Sequence, residues 1–461
     1  MYQRGGGLPS TSDVTFEDPM TRARQPVHAR HGKRLSFKAL GLFLGATTGF
    51  SYLYGSAGDI AEWNLPKGSG HNQTPTKNSH RDLGRIPPAP VPKGAKSWED
   101  VARQLQRPGF PRYVIVDAKN GLGNRLRALC STMSVAASLR RPVLLIWVRD
   151  VHCNCSFTDL FRGPLPFEVL DEEIPPANLT DPLLFQRYNY MRPEVGALKD
   201  EEIVPDGKRH LYFKSGFLMN HYRGQWRFAM RYLQPPQLPR PVASVERHLV
   251  ANRTMVGLHV RNVFDVPRDA VTASDAKGAA ARNGANVEYG KVAAEKLMQW
   301  RTASHWTNFV SHMQHMQAEH ARHFPPSETP PLRFYLAADS LEAYDGLRAK
   351  FGDALVSTQR PCASAGRCDF RDCASLRYSL ADLINLARTR LILGSGYSSF
   401  SEVATRMGGN FQRALTIQLA GRDFGGERIL MPKRHRPSWA MDRQRVGIAD
   451  ALPARTLEVV S

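Results

Sequence analysis

The 461-residue chain is short of acidic residues and of common metal-binding patterns. It has 42 acidic against 62 basic residues, and the net charge of +20 favours an anionic partner such as nucleic acid, an acidic glycan, a membrane surface or a diphosphate ligand. No Asp-x-Asp motif, no Cys-x-x-Cys pair and no repeat of solenoid length occurs. What remains is a globular composition, in a chain long enough for two packed domains.

Cysteine is also scarce, and its distribution is informative. All six cysteines follow the first quarter of the chain: Cys130, Cys153, Cys155, Cys362, Cys368 and Cys373. Their even number predicts disulfides in an oxidising compartment, with the pairing left open. Zinc at the last three is less favoured, because no histidine completes the set. Cys130 lies on the apolar face of a predicted helix and also fits a buried thiol.

The N-terminal region contains one uncharged segment, residues 39–58, after a basic leader at 1–38. Its length and its basic flank predict a type II membrane anchor, with a cytosolic tail before it and everything after it in the lumen of the Golgi or endoplasmic reticulum. Many glycines dilute the segment, so a cleaved signal peptide or a soluble protein with a polar leader are the alternatives. Four glycosylation sequons lie beyond it, at Asn72, Asn154, Asn178 and Asn252.

Beyond the anchor, a proline-rich stem is predicted at 59–110, so that ordered structure begins near Arg112. Alternating strands and helices then predict an α/β protein with an N-terminal half at 111–250, a C-terminal half at 251–425 and an extension at 426–461. An alanine-rich insertion lies at about 267–290. Strands are predicted at 112–117, 143–148, 210–213, 255–260, 332–338, 354–356 and 390–393, and helices at 125–139, 306–324, 341–351, 376–388 and 399–407.

Two strand-to-helix turns contain most of the candidate ligand-binding residues. The first contains Gly121, Gly123 and Asn124, and the second contains Ser398, Ser399 and Phe400. Such turns let backbone N–H groups at a helix start approach an anion, although an ordinary turn has the same pattern. Glu402 is spaced to pair with Ser399 in a capping box.

Two further polar positions follow predicted strands. His259 and Arg261 share one face of a strand end, where a guanidinium suits a diphosphate, although a structural salt bridge to Asp265 is the commoner use. Asp339 follows another strand and is predicted at the same sheet edge. Together with the two turns, these residues predict a nucleotide cleft.

The motifs at 120–125, 257–261, 338–340 and 394–400 resemble, in order and type, those of the GT-B fucosyltransferase superfamily, which includes protein O-fucosyltransferases, α1,6-fucosyltransferases and plant xyloglucan fucosyltransferases. The resemblance extends over about residues 112–420. It implies two Rossmann-like domains facing a cleft, and inverting, metal-independent transfer of fucose from GDP-fucose to a glycan or glycoprotein acceptor, with no cofactor.

The resemblance also implies roles for individual residues. Arg261 would grip the diphosphate and stabilise the leaving GDP, and Asn124 would lie near the donor sugar. Asp265, Ser399 and Phe400 would line the nucleotide pocket, with Asp339 at the guanine edge. No general base is assigned, and Asp117, Asp150 and Asp265 are candidates.

Two other functions fit the sequence less well. A GT-B enzyme could use a different nucleotide sugar, and a basic lumenal protein could bind anionic glycans without catalysis. Nucleic acid is disfavoured, because the predicted topology puts the folded part in a lumen and aromatic residues do not interleave with the basic runs.

Overall fold

A computed structural model describes residues 97–429, apart from 180, 192–195, 199, 235–236, 264–290, 326–328, 363–365, 411–412 and 427. The predicted tail, anchor, most of the stem, the insertion and nearly all of the C-terminal extension lie outside the described residues. Among the helices that are described, none has the length and apolar character needed to span a bilayer.

The N-terminal half contains a five-stranded sheet in which every pairing is parallel. Strand β1 lies at its centre, and Val114 of β1 is in register with Val143 on one side and Leu211 on the other. The strands are β1 (Val114–Ala118), β2 (Val143–Ile146), β4 (Glu168–Leu170), β5 (Phe185–Asn189) and β6 (His210–Ser215), in the order β4-β2-β1-β6-β5. A separate antiparallel pair joins β3 (Phe161–Arg162) to β7 (Arg240–Pro241).

The C-terminal half contains a second parallel five-stranded sheet. Its strands are β8 (Val256–Val260), β9 (Phe334–Ala338), β10 (Leu355–Ser357), β11 (Leu391–Gly394) and β12 (Thr416–Leu419), in the order β10-β9-β8-β11-β12. The chain adds strands to one side of β8 and then crosses to the other, which is the doubly wound arrangement. The crossover point therefore lies between the ends of β8 and β11, where ligands bind in such sheets.

Helices pack on both faces of each sheet. They are α1 (Trp98–Leu105), α2 (Leu122–Leu139), α3 (Trp226–Ala229), α4 (Ala243–Glu246), α5 (Lys291–Ala303), α6 (Thr307–His323), α7 (Leu341–Phe351), α8 (Cys373–Arg388) and α9 (Ser399–Gly408), with 3-10 turns at Pro176–Leu179, Met230–Leu233 and Gly352–Ala354. The alternation confirms the predicted α/β class. It also confirms two parallel sheets.

One hydrophobic core joins the halves. It contains buried residues of α2, α8 and α9 together with the inward faces of both sheets, from Val116 of β1 to Ile392 of β11. Separate cores cover the outer faces, one under α1 and one under α6 and α7. The predicted division at 250/251 thus separates two sheets but not two independently packed cores.

The stem prediction is wrong at its C-terminal end. Helix α1 begins at Trp98, with Ser97 as its N-cap, and its Trp98, Val101 and Leu105 are buried against Ile115 of β1. Three apolar residues at helical spacing suffice to anchor this helix, despite the proline-rich composition before it. Ordered structure therefore begins at least 15 residues before Arg112.

Other predicted elements differ mainly at their ends. Helix α2 begins at Leu122 rather than at 125, and α8 begins at Cys373 rather than at 376. The sequence patterns do not predict β3, β4, β5, β7 and β12 or the helices α3, α4 and α5. Strands β4, β5 and β12 are only partly buried and lack a clean alternation.

The cysteine prediction is confirmed, and the pairing is now defined. Cys155 is bonded to Cys373 and Cys362 to Cys368, and the first bond joins the two halves. Cys130 and Cys153 are free and buried. Burial raises the pKa of the Cys153 thiol to about 11, which keeps it protonated and unreactive at neutral pH.

Candidate functional site

The first turn, between β1 and α2, leaves the start of α2 without a side-chain cap. Asn120 adopts the left-handed conformation, with φ of 67°, and Gly121 is the N-cap residue. Because glycine has no side chain, no side-chain oxygen accepts the N–H groups of the first helical turn. These groups and the positive end of the helix dipole are suited to an anion.

The two arginines that open α2 face inward rather than toward a ligand. Arg125 is fully buried and donates to the carbonyl oxygens of Asn120 (2.8 Å) and Val148 (2.7 Å) and to Asp150 Oδ2 (2.7 Å). Asp150 Oδ1 accepts the N–H groups of His152 and Cys153. Asp150 is therefore engaged in holding the turn, which leaves it poorly suited to act as a general base.

The second turn, between β11 and α9, also contains a left-handed residue, Tyr397, with φ of 54°. Ser398 is the N-cap of α9, yet its side chain makes no capping bond, and within the described part of the chain its buried hydroxyl has no hydrogen-bond partner. The predicted capping box is wrong, because Glu402 turns away from the helix start. The first turn of α9 thus has no side-chain cap either.

The two turns meet. A Cβ atom built on Gly123 would lie 3.2 Å from the carbonyl carbon, the carbonyl oxygen and the Oγ of Ser399. Such a distance is tighter than an ordinary contact, so only glycine lets α2 and α9 approach this closely. The turn that contains Gly123 therefore lies directly against the turn that contains Ser399.

A buried ion pair holds this junction. Arg127 Nη1 of α2 lies 3.2 Å from Glu402 Oε2 of α9, and Trp226 Nε1 donates to Glu402 Oε1 at 2.7 Å. Arg127 also donates to the Gly216 carbonyl (2.7 Å) and lies over the Phe217 ring. Burial raises the pKa of Glu402 and lowers the pKa of Arg127, and the opposite charge of each partner counters that shift.

The end of β8 contributes His259, which supports the site rather than facing solvent. Its Nδ1 lies 2.6 Å from Ser401 Oγ, and its ring stacks on Phe400 with centroids 4.9 Å apart. Burial, reinforced by the charges of Arg261, Arg301 and Arg360, lowers its pKa well below 6.5. His259 is therefore neutral at physiological pH and locks the first turn of α9 onto β8.

Arg261 lies at the crossover point of the sheet. Its N–H donates to Ser395 Oγ (2.8 Å), and that hydroxyl donates to the His259 carbonyl (2.8 Å), which ties the ends of β8 and β11 together. The buried Arg301 of α5 donates to the Arg261 carbonyl at 3.3 Å. Among the residues that the structure describes, the half-buried Arg261 guanidinium has no hydrogen bond or salt bridge.

Asp339 lies at the same edge, after β9, as predicted. Its two carboxylate oxygens accept the N–H groups of Asn262 and Val263, each at 3.1 Å. Burial raises its pKa, and the charges of Arg301 and Arg261 oppose that rise. Asp339 thus shapes the chain that follows Arg261, with both oxygens engaged inside the protein.

The remaining predicted residues divide by location. Asn124 is half-buried in the first turn of α2, next to the junction. Asn154, Asn178 and Asn252 are exposed, as glycan attachment requires. Asp265 and Asn72 lie outside the described residues.

Several residues of the site were not predicted, namely Ser395, Ser401, Arg301, Glu402 and Arg127. Ser395 and Ser401 flank the serine motif and could have been found from it. Arg301 follows a low-complexity stretch, and the Arg127–Glu402 pair spans 275 positions, so neither has a local signal.

One cluster of potential metal ligands exists in the described part of the chain. The ligand atoms of Cys155, Asp159 and Cys373 lie within 4.8 Å of one another. Because the two sulfurs are bonded to each other, this group is a disulfide with a nearby carboxylate rather than a metal site.

The geometry as a whole suits a phosphorylated anion. Two helix starts without side-chain caps meet beside a half-buried arginine at the crossover point of a doubly wound sheet. A fixed guanidinium and aligned N–H groups can stabilise negative charge that develops on a leaving group.

Comparison with known proteins gives structural likeness only. No protein-family model matches the chain, and no curated protein matches it in sequence. The fucosyltransferase NodZ from Bradyrhizobium is 16% identical, with 64% of this chain and 92% of that chain covered and a TM-score of 0.37. A mutant of Arabidopsis thaliana FUT1 in complex with GDP is 15% identical, with 77% and 78% covered and a TM-score of 0.41.

A third similar structure is POFUT1 in complex with GDP-fucose, at 12% identity, with 68% of this chain and 98% of that chain covered and a TM-score of 0.38. The fold assignment rests on the strand order of the two parallel sheets.

The close approach at Gly123 yields a first prediction. Gly123→Ala should lower the free energy of unfolding by about 1–3 kcal/mol, because the new methyl group is forced against Ser399. A Gly→Ala change in a helix otherwise stabilises by about 1 kcal/mol, so a loss is diagnostic. Urea unfolding measures the change.

Gly121→Ala is the comparison variant, since its Cβ would meet its nearest neighbours at 3.9 and 4.0 Å, which is ordinary contact, and it should lose only the small preference of the N-cap position for glycine over alanine. Equal losses for the two variants would contradict the close approach of α2 and α9.

The neutral His259 yields a prediction about pH. Its folded-state pKa is depressed below the 6.5 of the unfolded chain, so its contribution to stability is present above pH 6.5 and is lost as the pH falls below it. Between about pH 7.5 and about pH 5.5, wild type should lose about 1.4 kcal/mol more than His259→Asn, whose amide can still bond Ser401. Urea unfolding at both pH values measures this, and equal losses would contradict a buried neutral His259.

Proposed function

We propose that the chain is a glycosyltransferase that moves fucose from GDP-fucose to a glycan or glycoprotein acceptor, with inversion at the sugar and without a metal ion. The observation that carries the proposal is the meeting of two uncapped helix starts and Arg261 at the crossover point of the C-terminal sheet. This is where a nucleotide diphosphate binds in doubly wound sheets.

In the reaction, an acceptor hydroxyl oxygen forms a bond to C1 of fucose as the bond from C1 to the β-phosphate oxygen breaks, and the hydroxyl proton passes to solvent water. The bonding electrons move to the phosphate, so negative charge develops on the departing GDP. Arg261 and the N–H groups of α9 stabilise that charge, and Arg301, bonded to the Arg261 carbonyl, holds the arginine in place. Attack from the face opposite the leaving group inverts the sugar.

Metal independence rests on the chemistry of these donors. A guanidinium makes paired, charge-assisted hydrogen bonds to phosphate oxygens, and helix N-termini add fixed positive partial charges. These groups can take the role that a divalent cation has in other transferases. We therefore expect that EDTA leaves transfer unaffected.

The location is also a proposal. Two disulfides and three exposed sequon asparagines fit an oxidising, glycosylating compartment. With the predicted anchor at 39–58, they support a single-pass type II protein of the Golgi membrane whose catalytic part is lumenal.

The direct test is stabilisation by nucleotide. At a GDP concentration of about 100 times Kd, thermal unfolding of the wild type should shift by the equivalent of about 2.7 kcal/mol, because GDP binds the folded state alone. Arg261→Ala should abolish most of this shift. Arg322→Ala, an exposed arginine on α6 paired with Glu319, is the control and should keep it.

Other results would exclude parts of the proposal. Stabilisation by UDP or ADP instead of GDP would indicate another nucleotide sugar. Salt-sensitive heparin binding that survives Arg261→Ala, with no response to any nucleotide, would indicate a glycan-binding protein.

A further inference from the structure

We propose that Arg371 is a second diphosphate-binding arginine of this site, held over the start of α2 by contacts that cross between the two halves. The inference rests on the proposed function and adds a residue that lies in no strand, helix or glycine turn. Its ligand would be the diphosphate of the nucleotide donor.

The position of the guanidinium is the first observation. Arg371 Nη1 lies 4.0 Å from the place that a Cβ atom on Gly121 would occupy. Gly121 is the N-cap of α2, so the guanidinium lies beside the N–H groups that no side chain caps. The Arg371 side chain is 38% exposed, so solvent and a dissolved ligand can reach it.

The backbone at Arg371 and just after it is tied to the other half. Its carbonyl accepts the N–H of Asn154 at 2.9 Å, and Asn154 forms a parallel bridge with Asp372. Two residues on, Cys373 is bonded to Cys155. Arg371 belongs to the C-terminal half, but its place is set by the loop that follows β2 in the N-terminal half.

The carboxylate of Asp369 lies next to the Arg371 guanidinium. Asp369 Oδ2 lies 3.8 Å from Arg371, and Asp369 also accepts two hydrogen bonds from Arg367, at 2.9 and 3.0 Å. Although burial alone would raise the pKa of Asp369, the hydrogen bond from Arg367 and the charges of Arg367, Arg371 and Arg261 lower it. The carboxylate is therefore ionised at neutral pH.

Asp369 interacts electrostatically with both Arg261 and Arg371, and Arg371 lies beside the start of α2. Arg261 and Arg301 likewise act on Asp339, so four guanidinium groups accompany two carboxylates and leave an excess of positive charge. A diphosphate lying between Arg261 and the start of α2 would be neutralised from both sides.

The test separates the diphosphate from the nucleoside. Calorimetry of the full-length protein with GDP and with guanosine should show that Arg371→Met weakens GDP binding by about 10- to 100-fold, the loss expected for a hydrogen bond to a charged group, and leaves guanosine binding unchanged. Arg371→Lys should recover part of the loss, since it restores the charge without the fork. Arg377→Met is the matched control, because Arg377 is 37% exposed on α8 and bonds Asp159 of the other half.

Removing the tether supplies a second readout. The double variant Cys155→Ser/Cys373→Ser should weaken GDP binding in the wild-type background, but much less in the Arg371→Met background, because the tether acts through that arginine. Equal weakening in both backgrounds would mean that the disulfide acts elsewhere and would overturn this part of the inference.

The outcomes distinguish a failure of the role of Arg371 from a failure of the proposed function. If the wild type binds GDP and Arg371→Met binds it equally well, or if guanosine weakens in parallel with GDP, the role of Arg371 is overturned while the proposed function stands. If the wild type binds no GDP, both fail.

Discussion

The buried ion pair between Arg127 and Glu402 is the interaction on which the site depends. Burying two opposite charges is costly unless their remaining donors and acceptors are satisfied. Here the Gly216 carbonyl and the Phe217 ring complete the surroundings of Arg127, and Trp226 donates to Glu402. Arg406 also acts on Glu402, so loss of Glu402 would leave two buried arginines without their carboxylate, at a cost of about 3–5 kcal/mol. The pair with Arg127 thereby fixes α2 against α9.

The same contact explains why the start of α9 has no side-chain cap. Glu402 is spaced to cap the first turn of α9, but Arg127 and Trp226 draw it away, and the buried hydroxyl of Ser398 takes no capping role. On the opposite helix the N-cap is Gly121, which has no side chain to offer. Left-handed Asn120 and Tyr397 occupy the two turns, in a conformation that non-glycine residues adopt at some energetic cost. The two helix starts that lack side-chain caps are thus held together by packing between the halves.

The sequence predicts most strands of the two sheets and the polar residues at their ends. It does not predict the contacts that depend on packing between distant parts of the chain. Apolar runs such as Val114–Ala118 and helical periodicity in α2 carry local signals, and parallel strands necessarily bring Arg261, Asp339 and the Ser398 turn to one edge. The spacing of Ser399 and Glu402 fits a capping box, but Glu402 instead pairs with Arg127, 275 positions away, which no local pattern indicates. Helix α1 was not predicted because the sequence before it is rich in proline. Arg371 was not predicted because it lies in no strand or helix.

The most direct test of the account is a double-mutant cycle on this pair, read out by unfolding free energy and by GDP-induced stabilisation. The variants are Arg127→Met, Glu402→Gln, which keeps an acceptor for Trp226, and their combination. The account predicts that each single variant loses stability and nucleotide response, and that the double variant loses less than the sum by about 0.5–3 kcal/mol. Strictly additive losses, or single variants that retain the full GDP response, would contradict the claim that this pair assembles the site.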